Sequence, residues 1–122
     1  MNTNEPIYFD NRQEHLEYID EQINSLRTER SGFIDLSSLE LREIPEILRE
    51  VEDKFWLDLS GNSLSELPDW FYDLDNILFL DLSRNNFTQL PIRLLHMNSI
   101  MKIDFSYNNL GNLKIWEFNS SN

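Results

Sequence analysis

A phrase of 15 residues recurs every 23 residues along this chain. Its clearest copy occupies residues 77–91 and reads L-x-x-L-x-L-x-x-N-x-L-x-x-L-P, where L stands for an apolar residue. The same apolar spacing returns upstream at residues 57–68 and 34–45, and downstream at residues 103–110. Four copies in one register, without insertion, predict an architecture in which each copy buries its apolar face only by stacking on the next.

This phrase resembles the leucine-rich repeat, and the resemblance covers about residues 31–114. It implies an α/β solenoid with short parallel strands on the concave face and 3₁₀ or short helical turns on the convex face. It also implies a structural amide inside each turn, at Asn62, Asn85 and Asn108. Leu39 stands at that position in the first repeat, so we expect the first turn to be less regular or to be covered by an N-terminal helix.

The side chains within each repeat divide between core and surface. In a short strand, Leu80 and Leu82 are expected to point inward, whereas Phe79, Asp81 and Ser83 are expected to point outward. After each repeat proline, apolar residues spaced by three predict a single turn of 3₁₀ or α-helix, since proline at the start of such a turn loses no needed donor. These convex segments follow Pro45, Pro68 and Pro91.

The two ends of the chain differ in pattern from the repeats. Leu16, Ile19, Ile23 and Leu26 fall on one helical face, and Asn11 with Glu14 fits a capping box, which predicts a helix over about 11–29. Residues 1–30 are therefore interpreted as an N-terminal segment with a capping helix, because the first coil of a solenoid exposes an apolar end. Residues 115–122 are interpreted as a short C-terminal cap and tail of the same structural domain.

The 23-residue period predicts columns of equivalent side chains on the concave sheet, with neighbours about 4.8 Å apart. We define four such columns by their members. The aromatic column is Phe33, Trp56, Phe79 and Lys102; the aspartate column is Asp35, Asp58, Asp81 and Asp104; the serine column is Ser37, Ser60, Ser83 and Ser106; the exit column, where the strands end, is Ser38, Gly61, Arg84 and Tyr107.

The columns admit a functional and a structural interpretation. Solvent-facing rings favour a protein-binding patch, unless Tyr8 and Phe9 cover Phe33 or Trp56. Neighbouring aspartates repel by roughly 0.8 kcal/mol in water, which a basic partner would relieve; alternatively, each carboxylate is merely exposed or bonded to a nearby hydroxyl. The predicted partner-binding residues are Phe33, Asp35, Trp56, Asp58, Phe79, Asp81, Arg84, Lys102, Asp104 and Tyr107, with Trp70 and Tyr72 on the convex side as weaker candidates.

Composition argues against catalysis. The chain has no cysteine and three glycines, so thiolate chemistry and a glycine-rich phosphate loop lack their residues. His15 and His96 fall outside the aspartate column, and an even ladder of aspartates does not wrap oxygens around one cation. We therefore expect a non-enzymatic protein with neither a cofactor nor a bound metal.

The net charge of −12 is concentrated in the first two thirds of the chain. Counting bases minus acids gives 3 − 7 = −4 for residues 1–30, 3 − 12 = −9 for residues 31–76 and 4 − 3 = +1 for residues 77–122. This field disfavours nucleic acid and anionic membranes and favours a basic protein partner, although solubility alone would also explain it.

The sequence therefore predicts a protein-binding module, most specifically a stoichiometric inhibitor of a basic protein, similar to the immunity partners of bacterial toxins. The start of the chain has neither a signal peptide pattern nor a membrane-spanning run, so a cytoplasmic location is expected. The alternative is a structural or adaptor module that self-associates. A monomer is favoured, with a homodimer through the C-terminal edge as the other possibility.

Overall fold

The computed structural model describes residues 12–29, 32–110 and 115–117. In these residues one α-helix precedes a five-stranded sheet whose strand order follows the chain. Strands β1 to β4 are parallel, and β5 runs antiparallel to β4. The elements are α1 (Arg12–Glu29), β1 (Phe33–Asp35), β2 (Phe55–Asp58), β3 (Ile77–Asp81), β4 (Lys102–Asp104) and β5 (Ile115–Glu117), with 3₁₀ helices at Glu46–Glu50, Asp69–Asp73 and Ile92–His96.

The parallel strands stack in the register that the 23-residue period predicts. Leu57 pairs with Ile34 on one side and with Leu80 on the other, and Leu80 pairs with Ile103. The ladder continues past the strands, since the Ser38 amide donates to the Ser60 carbonyl at 2.9 Å. Parallel strands alternating with 3₁₀ turns form a solenoid-like fold, which confirms the coarse architecture read from the repeat.

The convex side consists of the 3₁₀ helices that the prolines predict. Pro45, Pro68 and Pro91 each occupy the residue before a 3₁₀ helix, with φ between −64° and −69°. Proline holds this φ by its ring and has no amide to leave unpaired at a helix start. Each helix buries one large residue at its centre against the strands, namely Leu48, Phe71 and Leu94. The predicted convex segments are confirmed.

The turn asparagines hold adjacent coils together from inside. The Asn85 side chain is 5% exposed. Its Oδ1 accepts the Leu64 amide at 3.0 Å, and its Nδ2 donates to the carbonyls of Leu59 at 3.0 Å and of Leu82 and Ser83 at 3.1 Å. A buried backbone group without a partner would cost stability, so this one amide satisfies groups from two coils.

Equivalent bonds form one coil earlier and one coil later. Asn62 accepts the amides of Leu39 and Leu41, and Asn108 accepts the amide of Phe87. The turn of the first coil, where Leu39 replaces the amide, contains two residues in the left-handed region, Ser38 at φ 55° and Glu40 at φ 58°. The later turns have one such residue each, so the expected irregularity of the first turn is confirmed.

Helix α1 agrees with the predicted span to within a residue and packs against β1 and the first 3₁₀ helix. Ile19 and Ile23 are buried in the same cluster as Ile34. Leu16 is 38% exposed, so the helical face was predicted one turn too long at this end. Asn11 and the side chain of Leu26 lie outside the described residues, and the capping box stays a prediction.

A second buried amide, Asn76, lies where β3 begins. Its Nδ2 donates to the carbonyls of Val51 and Asp53 in the preceding coil. Ser99 stands 23 residues later, and its Oγ is buried without a hydrogen-bond partner among the described residues. Asn76 has no signature in the repeat pattern, because its position is polar in each repeat but varies between Asp53, Asn76 and Ser99.

Candidate functional site

The parallel register brings the predicted concave residues together. Phe33 pairs with Trp56, Trp56 with Phe79, and Phe79 with Lys102. The four aspartates are paired in the same way, from Asp35 on β1 to Asp104 on β4. Both columns therefore lie side by side on one continuous surface, although their use in binding remains a prediction.

The three rings of the aromatic column contact one another in sequence. The centroids of Phe33 and Trp56 are 5.3 Å apart with planes at 87°, and those of Trp56 and Phe79 are 5.5 Å apart with planes at 51°. Both geometries are favourable for aromatic pairs. Trp56 is 48% exposed, whereas Phe33 and Phe79 are partly buried. Tyr8 and Phe9, which could cover these rings, lie outside the described residues.

A change of register at Phe55 and Trp56 gives β2 its irregular start. Phe55 pairs with Ile77, but the next residue, Trp56, pairs with Phe79, so β3 contains one extra residue, Leu78. Bulges of this kind alter the direction of neighbouring side chains. Phe55 is buried and Trp56 is exposed, and the largest ring of the column faces solvent beside this irregularity.

Each aspartate closes a small local turn with the serine two residues later. The Oδ1 atom of Asp81 accepts the Ser83 amide at 2.9 Å and the Ser83 hydroxyl at 2.6 Å. The same two bonds form in every coil, with donors Ser37, Ser60 and Ser106. The aspartates thus have a structural role, as the alternative interpretation proposed. Ser83 is only 7% exposed, although its hydroxyl reaches the outward-facing carboxylate of Asp81.

The middle of the aspartate column carries the strongest electrostatic cost. Burial raises the pKa of Asp81 above its usual value, and the negative charges of Asp58 and Asp104 raise it further. The two hydrogen bonds from Ser83 oppose this pKa shift by stabilising the charged form. A cation brought to this column would therefore relieve a repulsion that the folded protein retains.

The exit column has a backbone property that the sequence pattern did not predict. All four members adopt a left-handed conformation, with φ from 55° at Ser38 to 69° at Gly61. This conformation costs a non-glycine residue roughly 1 kcal/mol. At Gly61 an added Cβ would lie 2.9 Å from the Ser38 Oγ. Arg84 and Tyr107 are exposed, and the guanidinium carbon of Arg84 is 4.3 Å from the Tyr107 ring centroid.

The weaker candidates on the convex side are engaged in contacts between coils. The Arg93 guanidinium lies 4.2 Å from the Tyr72 ring centroid and 2.8 Å from the Asp69 carboxylate. Arg49 lies 5.6 Å from the Trp70 ring centroid. These cation–π contacts link successive convex segments, which supports the structural interpretation of Trp70 and Tyr72.

The described residues contain no cluster of three or more His, Asp or Glu side chains that could hold a metal ion. His96 is exposed at the end of the third 3₁₀ helix, and the side chain of His15 is not described. No helix in the described parts of the chain combines the length and the apolar character that crossing a membrane requires.

The parallel sheet, the convex 3₁₀ helices and the internal asparagine ladder define a solenoid repeat protein. Comparison with protein families agrees: residues 56–74 and 76–97 match the Leucine Rich Repeat family. These two stretches of the chain are therefore similar to leucine-rich repeats. None of the curated proteins with which the sequence was compared matches it. Members of this family are typically non-enzymatic modules that mediate protein–protein interaction.

Proposed function

We propose that this protein binds a basic protein partner through its concave sheet and acts as a stoichiometric inhibitor of that partner. The observation that carries the proposal is the exposed Trp56 ring, which stands in contact with Phe33 and Phe79 and directly beside the aspartate column. Large aromatic side chains at the centre of a contact surface supply most of the energy of many interfaces. The proposed contact residues are those predicted from the sequence.

The aspartates can accept a partner without losing their structural bonds. Within the described residues, every hydrogen bond to these carboxylates goes to Oδ1, and Oδ2 receives none. Charge-assisted bonds from Arg or Lys to the second oxygen would be stronger than bonds between neutral groups. A partner with such groups would also remove the repulsion between Asp58, Asp81 and Asp104.

Charge favours a partner placed over the first three coils. Residues 31–76 carry a net charge of −9, against +1 for residues 77–122. A field of this kind accelerates association with a basic protein and weakens as salt is added. An inhibitor role in the cytoplasm, like that of the immunity partners of bacterial toxins, extends this proposal by analogy of size, charge and repeat type.

The proposal assigns supporting roles to the ends of the chain. We place the capping function on residues 1–30, because Ile19 and Ile23 of α1 bury against the first coil. In the same proposal, residues 31–114 are the repeats and residues 115–122 are the C-terminal cap and tail. The cap keeps the apolar end of the first coil from water, so the concave sheet is left as the surface for a partner.

The decisive experiment compares two truncations of similarly exposed apolar side chains. Trp56→Ala removes the concave anchor, and Leu95→Ala removes a convex residue that is 45% exposed, against 48% for Trp56. The immobilised parent first captures its partner from a host lysate, and mass spectrometry identifies it. Binding of the purified partner to each variant is then measured by calorimetry. We expect Trp56→Ala to weaken binding about thirtyfold, or roughly 2 kcal/mol.

Salt separates the electrostatic part of the proposal from the aromatic part. Asp58→Ala should slow association, and the difference from the parent should shrink as salt is added. Circular dichroism of each variant establishes that it remains folded. Arg93→Ala is a poor control, because Arg93 holds Asp69 and Tyr72. Parental binding by both Trp56→Ala and Asp58→Ala, together with a severe loss in Leu95→Ala, would show that the partner uses the convex side.

A further inference from the structure

Strand β5 ends the sheet with an edge that pairs with nothing among the described residues. The orientation of that edge follows from the strand before it. The Asp104 carbonyl accepts the Leu82 amide at 2.8 Å, so the main chain of Asp104 faces β3. Because main-chain direction alternates along a strand, Ile103 faces β5, where its partner is Trp116. The amide and carbonyl groups of Ile115 and Glu117 therefore face away from β4.

Exposed apolar side chains concentrate in the same part of the molecule. Six large apolar residues are exposed among the described ones, and four of them belong to the last two coils: Ile92, Leu95, Met101 and Tyr107. The first two 3₁₀ helices, Glu46–Glu50 and Asp69–Asp73, each lie beside the 3₁₀ helix of the next coil. Among the described residues no 3₁₀ helix follows Ile92–His96, and the exposed apolar side chains of this end have no convex segment beyond them.

Charge determines which end of one copy can approach another. Residues 1–76 carry a net charge of −13, so two copies repel each other strongly through their N-terminal and central coils. Residues 77–122 carry +1 and present almost no such barrier. At the opposite end of the sheet, helix α1 contacts β1, and strand addition there would meet a helix. The C-terminal edge is thus the place where a second copy meets least resistance.

We infer that two copies of this chain pair through β5 to form a two-fold symmetric dimer with a continuous ten-stranded sheet. An antiparallel pair of identical strands is compatible with a two-fold axis, and such an interface closes on itself without forming fibres. Centred on Trp116, the pairing sets Ile115 of each copy opposite Glu117 of the other. Their outward-facing amides and carbonyls then form four main-chain hydrogen bonds. Neither concave face is covered, so each copy remains free to bind a partner.

The first test measures mass by size-exclusion chromatography with light scattering over a concentration series of the full chain. We expect the parent to approach twice 14.6 kDa as its concentration rises. Glu117→Pro removes the outward amide, and proline is tolerated in an edge strand where its nitrogen faces solvent. This variant should raise the dimer Kd about tenfold or more, whereas Glu117→Ala, which loses the same charge but keeps the amide, should dimerise as the parent does.

The second test uses the absence of cysteine from the chain. In the proposed register, residue 116 lies opposite its own copy at a non-hydrogen-bonded position, with Cα atoms about 4.5 Å apart, within disulfide range. The copies of residue 117 are offset by two positions and lie about 8 Å apart, beyond that range. Trp116→Cys should therefore cross-link under mild oxidation at least tenfold more than Glu117→Cys.

Two results would overturn the inference. One is a parent that keeps a mass of 14.6 kDa at every concentration. The other is a dimer whose Kd is unchanged by Glu117→Pro and whose two cysteine variants cross-link equally, since that dimer would use another surface. Circular dichroism melting of each variant identifies any that fails to fold. If Glu117→Pro does not fold, the cross-linking of the two cysteine variants decides whether the dimer forms through β5.

Discussion

Replacing the internal amide of the third coil tests how the solenoid is held together. Asn85→Ala removes an acceptor for the Leu64 amide and a donor for three carbonyl groups, all within a site that is 5% exposed. Leaving one buried donor or acceptor unpaired costs about 1–3 kcal/mol. The Leu64 amide then has no acceptor, whereas each carbonyl keeps a second donor: Asn62 Nδ2 for Leu59, Asn108 Nδ2 for Leu82 and the Gly61 amide for Ser83. Because one buried amide is left unpaired and three carbonyls each lose one of two hydrogen bonds, we expect a loss near the upper end, about 3 kcal/mol.

The loss should be visible in both chemical and thermal unfolding. For a chain of this length, the per-residue entropy of unfolding converts 3 kcal/mol into a fall in Tm of roughly 12 °C. The urea midpoint should fall by on the order of 1–2 M at unchanged slope. Circular dichroism at 222 nm follows both transitions, since the signal reports the loss of α1 and of the sheet together.

The neighbouring residue supplies a matched control. Asn86 is exposed, and among the described residues its one hydrogen bond is from its main-chain amide to the Leu64 carbonyl at 2.8 Å, a bond that alanine retains. Asn86→Ala should therefore change stability by less than about 0.5 kcal/mol. Asn108 is partly buried, so Asn108→Ala should give an intermediate loss. Equal urea midpoints for Asn85→Ala and Asn86→Ala would refute the assignment of Asn85 as a structural amide.

Two further substitutions test the aspartate column and the second amide position. Asp81→Asn keeps an acceptor for Ser83 but cannot ionise. Because the pKa of Asp81 is raised in the folded protein, the Asp81 carboxyl group contributes its full stability below pH 3.8, and this contribution is lost as pH rises through the raised pKa. Urea midpoints should therefore show Asp81→Asn equal to the parent in acid and equal or more stable at pH 7. Asp81→Ala should lose about 1 kcal/mol in acid, where it gives up only the hydrogen bonds to Ser83, and less at pH 7. Ser99→Asn should raise the free energy of unfolding by about 1 kcal/mol and should therefore raise Tm. The reason is that an amide at this position can donate to carbonyls of the preceding coil as Asn76 does. A lower Tm for Ser99→Asn would show that the pocket cannot hold the larger side chain.

Much of this fold was predictable because the chain repeats one phrase at a constant period. The period alone determined the strand register, and with it the placement of Phe33 beside Trp56 and of Asp58 beside Asp81. The prolines marked the 3₁₀ helices because proline fixes its own φ and needs no amide partner. The strand register follows from equal spacing, and the position of each 3₁₀ helix follows from the local chain. Both can therefore be predicted without knowing which distant residues are in contact.

The candidate site was less fully determined by sequence. Its aromatic and aspartate columns followed from register, but the second role of the aspartates did not. The pattern left open whether Asp81 faces a partner or bonds a hydroxyl, and the structure shows that its Oδ1 bonds Ser83.

Tertiary structure alone decided those features that depend on contacts between a residue and the neighbouring coil. The left-handed turn at Arg84 and its stacking on Tyr107 depend on how the chain leaves one coil to begin the next. The donation of Asn76 to carbonyls of the preceding coil, and the antiparallel return of β5, likewise arise from contacts distant in sequence. The sequence determines the features that are set within one repeat unit. Packing between coils determines the others, because buried polar groups must find hydrogen-bond partners in the neighbouring coil.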